Sequence, residues 1–241
     1  DIKTKTIRHV SDAFSEDPVR LLRVARFASR FHKLGFSIAP ETRKLMKKMV
    51  VSGEVDALVP ERVFKELSLA LCSDKPSIFF DVLLESSAYL RLFPMLNSTG
   101  SHISQLVDAS VEDIDVKFAL WLHEQKLKDI TALCSHLKCP KNYKQIAELV
   151  SEWYLFSKDM LSHTAQEVLD FYLKTDSLRR QRRFEKILIA FKELGVDVKP
   201  ISEILVALKA INVSKLDKAQ IVEQIAQKRL SVIGRFLNPT K

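Results

Sequence analysis

The sequence predicts an all-α protein with no sheet, and three observations carry that prediction. Glycine and proline are rare, at 5 and 8 of 241 residues, and most prolines stand where a helix would begin, a position that suits their missing N–H. Apolar residues make up 46% of the chain and recur at helical spacing. Neither a hairpin dipeptide such as Asn-Gly nor a sustained alternation of apolar and polar residues occurs, so no strand is indicated.

The first 96 residues predict five helices. In the first of them Leu21, Val24 and Ala28 form an apolar stripe that would face the core. Gly35 and Gly53 follow the first and second helices and would end them. The predicted ranges are 18–33, 41–51, 61–72, 76–86 and 87–93.

Residues 96–112 are the most loop-like stretch of the chain and predict a boundary. We therefore expect three regions, residues 1–96, 97–163 and 164–241. Beyond the loop, helices are predicted at 114–124, 126–137, 141–157, 165–174, 178–194, 199–211 and 217–236.

Two side chains at the start of the first helix have a particular chemical competence. Asp17 would cap the helix ahead of Pro18, and Arg20 follows three residues later on the neighbouring surface position. An ionised Asp only accepts hydrogen bonds and an Arg only donates them. Together they could match the pairing edges of cytosine and adenine, whereas a carboxylate would repel the carbonyl of guanine or uracil. On spacing alone, a helix cap and a solvated arginine remain the simpler explanation.

The residues around this pair form a longer pattern. The run IRHVSDAFSEDPVRLLRVARF at 7–27 resembles the neck region of bacterial class II CCA-adding enzymes (tRNA nucleotidyltransferases). The resemblance implies a multi-helix neck at 1–96, a body at 97–163 and a tail at 164–241. It continues through LGFSIAPET at 34–42, PERVFKEL at 60–67, FFDVLLES at 79–86, LFPML at 92–96 and, more weakly, TDSLRRQRRFEKIL at 175–188.

In the resembled family the EDxxR motif is an amino-acid template for the incoming nucleotide. The resemblance implies that Asp17 and Arg20 contact the base with support from Glu16, and that Arg23 and Arg26 belong to the nucleotide site. It further implies that the ERxxxE element supports the template helix through Glu61, Arg62 and Glu66. Without the resemblance, this element is an ordinary Arg–Glu surface pair.

A basic cluster opens the helix predicted at 178–194, and it consists of Arg179, Arg180, Arg182 and Arg183. These arginines could neutralise phosphates along the acceptor arm and T-arm of tRNA, a contact that is salt-sensitive and independent of sequence. Asp176 could instead balance them within the protein, and the sequence leaves both interpretations open.

The resemblance also implies a catalytic head that binds Mg²⁺, and its motifs do not occur here. We therefore expect this chain to be the portion without that head, with no catalytic residue and no activity alone. Asp113 and Asp115 spell Asp-x-Asp but fit a helix cap and a first-turn acid. Cys134, His136 and Cys139 have irregular spacing and lack a fourth zinc ligand. No metal site is predicted within the 241 residues.

Charge and cysteine content indicate the environment and partners. A net charge of +8 favours a polyanion such as RNA. Three cysteines without framework spacing favour a reducing compartment, and no signal peptide or long apolar run is present. We expect a cytoplasmic protein that binds tRNA, CTP and ATP, and no membrane.

Its predicted function is base selection in the addition of CCA to the tRNA 3′ end. Two alternatives stay open: the same part of a bacterial poly(A) polymerase, and a non-enzymatic helical RNA-binding module.

Overall fold

A computed structural model describes residues 1–96, 106–212 and 221–238, and these residues are mostly helical. The predicted all-α class is confirmed. The chain packs as two compact units, Asp1–Ser151 and Glu152–Lys241. The division into 1–96, 97–163 and 164–241 describes regions of the resembled family and stays a prediction. Part of the predicted loop, 97–105, and the start of the last predicted helix, 217–220, lie outside the described residues.

The first unit is built on helix α1, Val19–Phe31, which packs mainly against α3 and α4. Leu21, Leu22 and Ala25 are fully buried on its inner face. The other helices of this unit are α2 Pro40–Val51, α3 Pro60–Leu71, α4 Ser77–Glu85, α5 Ala88–Leu92, α6 Ile114–Leu122 and α7 Leu127–His136. The next helix, α8 (Lys141–Lys158), contains the unit boundary. Short 3₁₀ turns occupy Asp12–Glu16, His32–Leu34 and Glu54–Ala57.

One small pairing departs from the expectation of no sheet. Strand β1, Thr6–Ile7, runs parallel to β2, Ser37–Ile38. Each strand has only two residues, so neither could produce a detectable alternation in the sequence. The pairing ties the segment that precedes α1 to the segment that follows it.

Aromatic side chains fill the rest of the first unit's core. The Trp121 ring lies 5.1 Å from those of Phe80 and Phe93 and 5.5 Å from that of Phe118. Its Nε1–H donates to the Tyr89 hydroxyl at 3.2 Å, and burial raises the pKa of Tyr89 to about 12. Such interlocked rings give α1 a rigid support.

The second unit has its own aromatic centre at Phe171, whose ring lies 5.4 Å from Trp153 and 5.8 Å from Phe184. The Tyr172 hydroxyl donates to the Ile201 carbonyl at 2.7 Å. A capping box between Thr164 and Glu167 starts the first helix that lies wholly within this unit. The helices are α9 Ala165–Lys174, α10 Gln181–Glu193, α11 Lys199–Lys209 and α12 Ile221–Leu237.

Candidate functional site

Asp17 lies where the 3₁₀ turn Asp12–Glu16 meets α1. Its Oδ1 accepts a hydrogen bond from the Val19 N–H at 3.2 Å, and its Oδ2 accepts one from Arg62 Nη2 at 2.8 Å. The helix starts at Val19, one residue later than predicted, with Pro18 at the flanking position. The Arg62 hydrogen bond lowers the pKa of Asp17 against an opposing effect of burial. Asp17 is therefore an ionised acceptor, and a carboxylate offers about four acceptor positions.

The Arg20 guanidinium donates to the backbone carbonyl of Ala13 rather than to Asp17. Helical spacing suggested a direct contact between Asp17 and Arg20, but the structure gives each of them a separate partner. The physical reason is that the 3₁₀ turn presents a carbonyl to Arg20 while α3 brings a second guanidinium to Asp17. The charge of Arg20 still contributes to the lowered pKa of Asp17, so an acceptor and a donor group share the start of α1.

Helix α3 holds this part of α1 at further points. Arg26 Nε donates to Glu66 Oε2 at 2.6 Å, and Arg23 Nε lies 3.6 Å from Glu66 Oε1. The side chains of Glu66 and Arg26 are only 8% and 13% exposed, whereas that of Arg23 is 53% exposed. The ERxxxE element thus contacts Arg23 and Arg26 of α1 through Glu66, and Asp17 before α1 through Arg62. That these contacts support a nucleotide template stays a prediction.

The first residue of that element has a different partner. Glu61 accepts a hydrogen bond from Lys138, which lies just beyond α7. This contact lowers the pKa of Glu61. Sequence analysis did not identify Lys138, because the partner is 77 residues away and belongs to no motif. A lysine just after a helix has no more specific meaning than a cation near a carboxyl terminus.

A cavity of about 360 Å³ opens beside the start of α1. Arg20 and Arg23 line it together with the rings of His9, Phe14 and Phe27. The His9 side chain is positioned by Thr42, whose Oγ1 lies 2.8 Å from His9 Nδ1. Small-ligand sites commonly combine an apolar wall with a few polar groups in a volume of this order. The cavity therefore suits a planar, negatively charged ligand.

The arginines assigned to one nucleotide site do not all face the same space. Arg20 and Arg23 line the first cavity, whereas Arg26 lines a second one of about 660 Å³. Glu16 is exposed at the end of its 3₁₀ turn and makes no hydrogen bond or ion pair with the described residues. The structure thus shows no contact through which Glu16 supports Asp17, and that role stays a prediction.

In the second unit, two arginines of the cluster have partners within the protein and two extend into solvent. Arg180 pairs with Asp176 at 3.1 Å, and Arg183 Nη2 donates to the Thr175 carbonyl at 2.7 Å. Arg179 and Arg182 are exposed. Asp176 therefore balances one arginine of the cluster, two others extend into solvent, and the tRNA contact stays a prediction.

The described residues contain no group of three or more His, Cys, Asp or Glu side chains that could hold a metal ion. Asp113 stands at the N-cap of α6 and Asp115 in its first turn, as the sequence indicated. In the same part of the chain, no helix has the length and apolarity needed to cross a membrane.

A family model described as "Probable RNA and SrmB- binding site of polymerase A" matches residues 35–99. The chain is 37% identical to the CCA-adding enzyme of Coxiella burnetii over 239 residues, which is 95% of this chain and 62% of the relative. It is 34% identical to the multifunctional CCA protein of Alkalilimnicola ehrlichii, with 97% of this chain and 70% of the relative covered. The chain thus spans about three fifths of the length of the first of these relatives.

Solved structures share the fold. A CCA-adding enzyme in complex with ATP superposes with a TM-score of 0.67 over 97% of this chain and 60% of the other, at 18% identity. The Thermotoga maritima CCA-adding enzyme in complex with tRNA gives a TM-score of 0.57 at 20% identity, with 95% of this chain and 65% of that chain covered.

Proposed function

We propose that this chain, which belongs to the family of CCA-adding enzymes, selects the incoming nucleotide and binds tRNA during addition of CCA to the tRNA 3′ end. The substrates of the intact protein would be CTP, ATP and tRNA. The 241 residues would supply base selection, and the catalytic steps would take place elsewhere in the intact protein. The protein would work in the cytoplasm, which agrees with its three free cysteines.

The observation that carries the proposal is the fixed carboxylate of Asp17 at the start of α1, three residues before Arg20, which lines the cationic cavity. Arg62 and the Val19 N–H hold Asp17 from one side, and the lowered pKa of Asp17 extends its ionised, acceptor-only state to more acidic pH. Arg20 reaches the cavity wall from its contact with the Ala13 carbonyl. The acceptor and the donor are therefore held by the protein before a ligand arrives, which reduces the entropy cost of ordering them.

Such an arrangement discriminates among bases by hydrogen-bond polarity. The amino groups of cytosine and adenine would donate to Asp17, while Arg20 would donate to the adjacent ring nitrogen. Guanine and uracil would place a carbonyl against the carboxylate and leave both groups without a partner. An unpaired buried polar group costs about 1–3 kcal/mol, which corresponds to roughly a fivefold to 150-fold preference.

The transfer itself requires groups that the described residues lack. Nucleotidyl transfer in this family implies Mg²⁺, and no cluster of three potential ligands is present among the residues described. We therefore assign no described residue to a Mg²⁺ site and derive no step through the metal. The 241 residues alone are then expected to bind without catalysing.

We assign a tRNA phosphate contact to the exposed Arg179 and Arg182. Arg180 and Arg183, each held by an intramolecular contact, would orient the start of α10 and the turn that precedes it. A phosphate contact agrees with the net charge of +8, because a basic protein gains affinity for RNA when its cations release counterions from the phosphates.

The test measures which labelled nucleotides the intact protein adds to tRNA that lacks CCA. The variants are Asp17→Asn, Arg20→Ala and, as a matched control, Asp12→Asn, which changes an exposed acid of the adjacent 3₁₀ turn. We expect wild type and control to add C and A only, and both site variants to lose that choice. If both site variants retain wild-type selectivity, Asp17 and Arg20 are not the template and the proposal fails.

The same assay separates the two alternative functions. The description of the model that matches residues 35–99 names polymerase A, and the poly(A) polymerase alternative predicts that wild type extends RNA with A alone. A non-enzymatic RNA-binding module would add nothing in any variant. Either result would replace the CCA assignment.

A further inference from the structure

The second cavity lies at the carboxyl end of α1, next to the last turn of α3. Its volume of about 660 Å³ exceeds that of the first cavity. Arg26, Arg30 and Lys33 line it, and Asp74 is the one carboxylate of its wall within the described part of the chain. The charge excess therefore favours an anionic ligand.

The three cations differ in how firmly they are held. Arg26 is fixed by Glu66 through Nε, and a guanidinium has further N–H donors to offer. Lys33 lies 3.5 Å from Asp74, but both side chains are more than half exposed, so that ion pair is weak. Arg30 is exposed and forms no ion pair with the residues that the structure describes. Arg30 and Lys33 can therefore turn towards a phosphate at little cost.

Aromatic rings connect this cavity to the first one. The Phe27 and Phe31 rings stack at 5.7 Å with an interplanar angle of 16°, and Phe36 lies 5.5 Å from Phe31. All three rings are half-buried. Phe27 lines the first cavity and Phe31 the second. The guanidinium of Arg26 lies over Phe27 at 4.4 Å and that of Arg30 over Phe31 at 5.7 Å.

Surfaces that combine cations with exposed aromatic faces are typical of sites for single-stranded nucleic acid. The cations follow the phosphates, and bases stack on the rings or on guanidinium planes. Lys33 and Arg30 could also complement the negative end of the α1 dipole. That explanation accounts for a cation in the last turn but not for the cavity or for the continuous line of rings.

We propose that the second cavity binds the phosphodiester backbone of single-stranded RNA, with a base placed against the Phe27–Phe31–Phe36 rings. Arg20 and Arg30 are ten residues apart on α1, or about 15 Å along the helix axis. A strand in the second cavity could thus extend to a nucleotide in the first. That relation rests on the proposed function, whereas phosphodiester binding in the second cavity does not.

The first experiment measures the affinity of the chain for a short single-stranded RNA by fluorescence anisotropy over a range of salt concentrations. The test variant is Arg30→Ala/Lys33→Ala. The matched control is Lys44→Ala/Lys48→Ala, which removes two exposed cations of α2, one of them in its last turn. Circular dichroism melts verify that both variants are folded.

We expect the test variant to bind at least tenfold more weakly at low salt. Its slope of log K against log salt should fall by about 1.4, or about 0.7 for each phosphate that the variant no longer neutralises. The control should stay within twofold of wild type. Equal decreases in the two variants, or no decrease in the test variant, would overturn the proposal. A duplex RNA that binds the same residues as tightly would overturn the single-strand assignment.

A second experiment uses the native Cys72, whose thiol is exposed in the wall of this cavity. Partial burial raises the pKa of Cys72, so alkylation is followed at alkaline pH by peptide mass spectrometry. Single-stranded RNA should slow the labelling of Cys72 and leave the half-buried Cys139 unchanged. Protection by inorganic phosphate or ATP alone, to the same extent as by RNA, would assign the cavity to a free anion instead.

The two proposals fail in different ways. Loss of C and A selectivity in Asp17→Asn tests the base template and does not involve the second cavity. Protection of Cys72 by RNA tests the second cavity and needs no nucleotide transfer. If RNA does not protect Cys72, the second cavity does not bind single-stranded RNA, even in a protein with normal nucleotide choice.

Discussion

At the scale of single residues, the pKa and the orientation of the Asp17 carboxylate depend on Arg62. The 2.8 Å contact between them joins two partly exposed side chains, of which Asp17 is 31% and Arg62 47% exposed. Such a pair contributes less than about 1 kcal/mol to stability. Its main effect is on the ionisation and orientation of the carboxylate that would contact the base.

We predict that Arg62→Ala raises the pKa of Asp17 towards its ordinary value, because the first cause of the lowered pKa is removed. A lowered pKa stabilises the folded state at neutral pH, and that contribution disappears as the pH falls through the folded-state pKa. Wild type should therefore lose more stability than the variant on acidification. Carboxyl carbon NMR titration measures the shift, with Arg91→Ala as control, since Arg91 forms a comparable pair with Asp56 at 2.9 Å.

Glu66 gives a second prediction of a different size. The Glu66 side chain is only 8% exposed, and it forms an ion pair with the Arg26 side chain, which is 13% exposed. Glu66→Gln leaves that guanidinium without a charged partner, so we expect a loss of roughly 2–3 kcal/mol in the free energy of unfolding. Urea denaturation checks this. Glu61→Gln is the control, since its partner Lys138 is exposed, and an equal loss in both variants would contradict the argument.

The residues of this candidate site could be proposed from the resemblance, whereas several of their contacts could not. The resemblance implied that Arg62 and Glu66 support the template helix. Glu66 contacts Arg26 of α1 and Arg62 contacts Asp17, two residues before that helix, whereas the template role itself stays a prediction. The partners of Arg20 and Glu61 were not predictable, because one is a backbone carbonyl and the other a lysine 77 residues away. Backbone groups carry no sequence signature, and long-range pairs require the packed fold.

At the scale of elements, helix ends were more predictable than strands. Gly35 and Gly53 adopt φ values of +80° and +83° after the first two helices, as their positions in the sequence indicated. The two-residue pairing of β1 with β2 depends on where α1 directs the chain. A strand of that length has no periodicity to detect.

Two glycines of the second unit should respond oppositely to replacement by alanine, because their backbone conformations differ. Gly195 has φ of +80° after α10, whereas Gly234 lies within α12, and an added Cβ would meet nothing within 4 Å at either. We predict that Gly195→Ala destabilises the unit by about 1–2 kcal/mol, because L residues avoid the left-handed region. Gly234→Ala should stabilise it by roughly 0.5–1 kcal/mol. Thermal denaturation measures the change in stability of both variants. If both variants are stabilised, or both destabilised, this explanation is wrong.

At the scale of the whole molecule, a net charge of +8 gives general attraction to RNA but does not say where RNA binds. The arginine cluster of the second unit narrows that question. Arg180 and Arg183 have partners inside the protein, and burial lowers the pKa of Arg183. Arg179 and Arg182 can exchange water for phosphate without first breaking such an internal bond.

We therefore predict that Arg179→Ala/Arg182→Ala weakens tRNA binding and lowers the slope of log K against log salt by about 1.8, at about 0.9 for each duplex phosphate contact. Lys192→Ala/Lys199→Ala is the matched control, since it removes two exposed cations of the same unit. Filter binding over a salt series measures both. If the control variant changes the slope equally, the basic charge of the unit acts as a whole, and the arginine cluster is not a distinct tRNA contact.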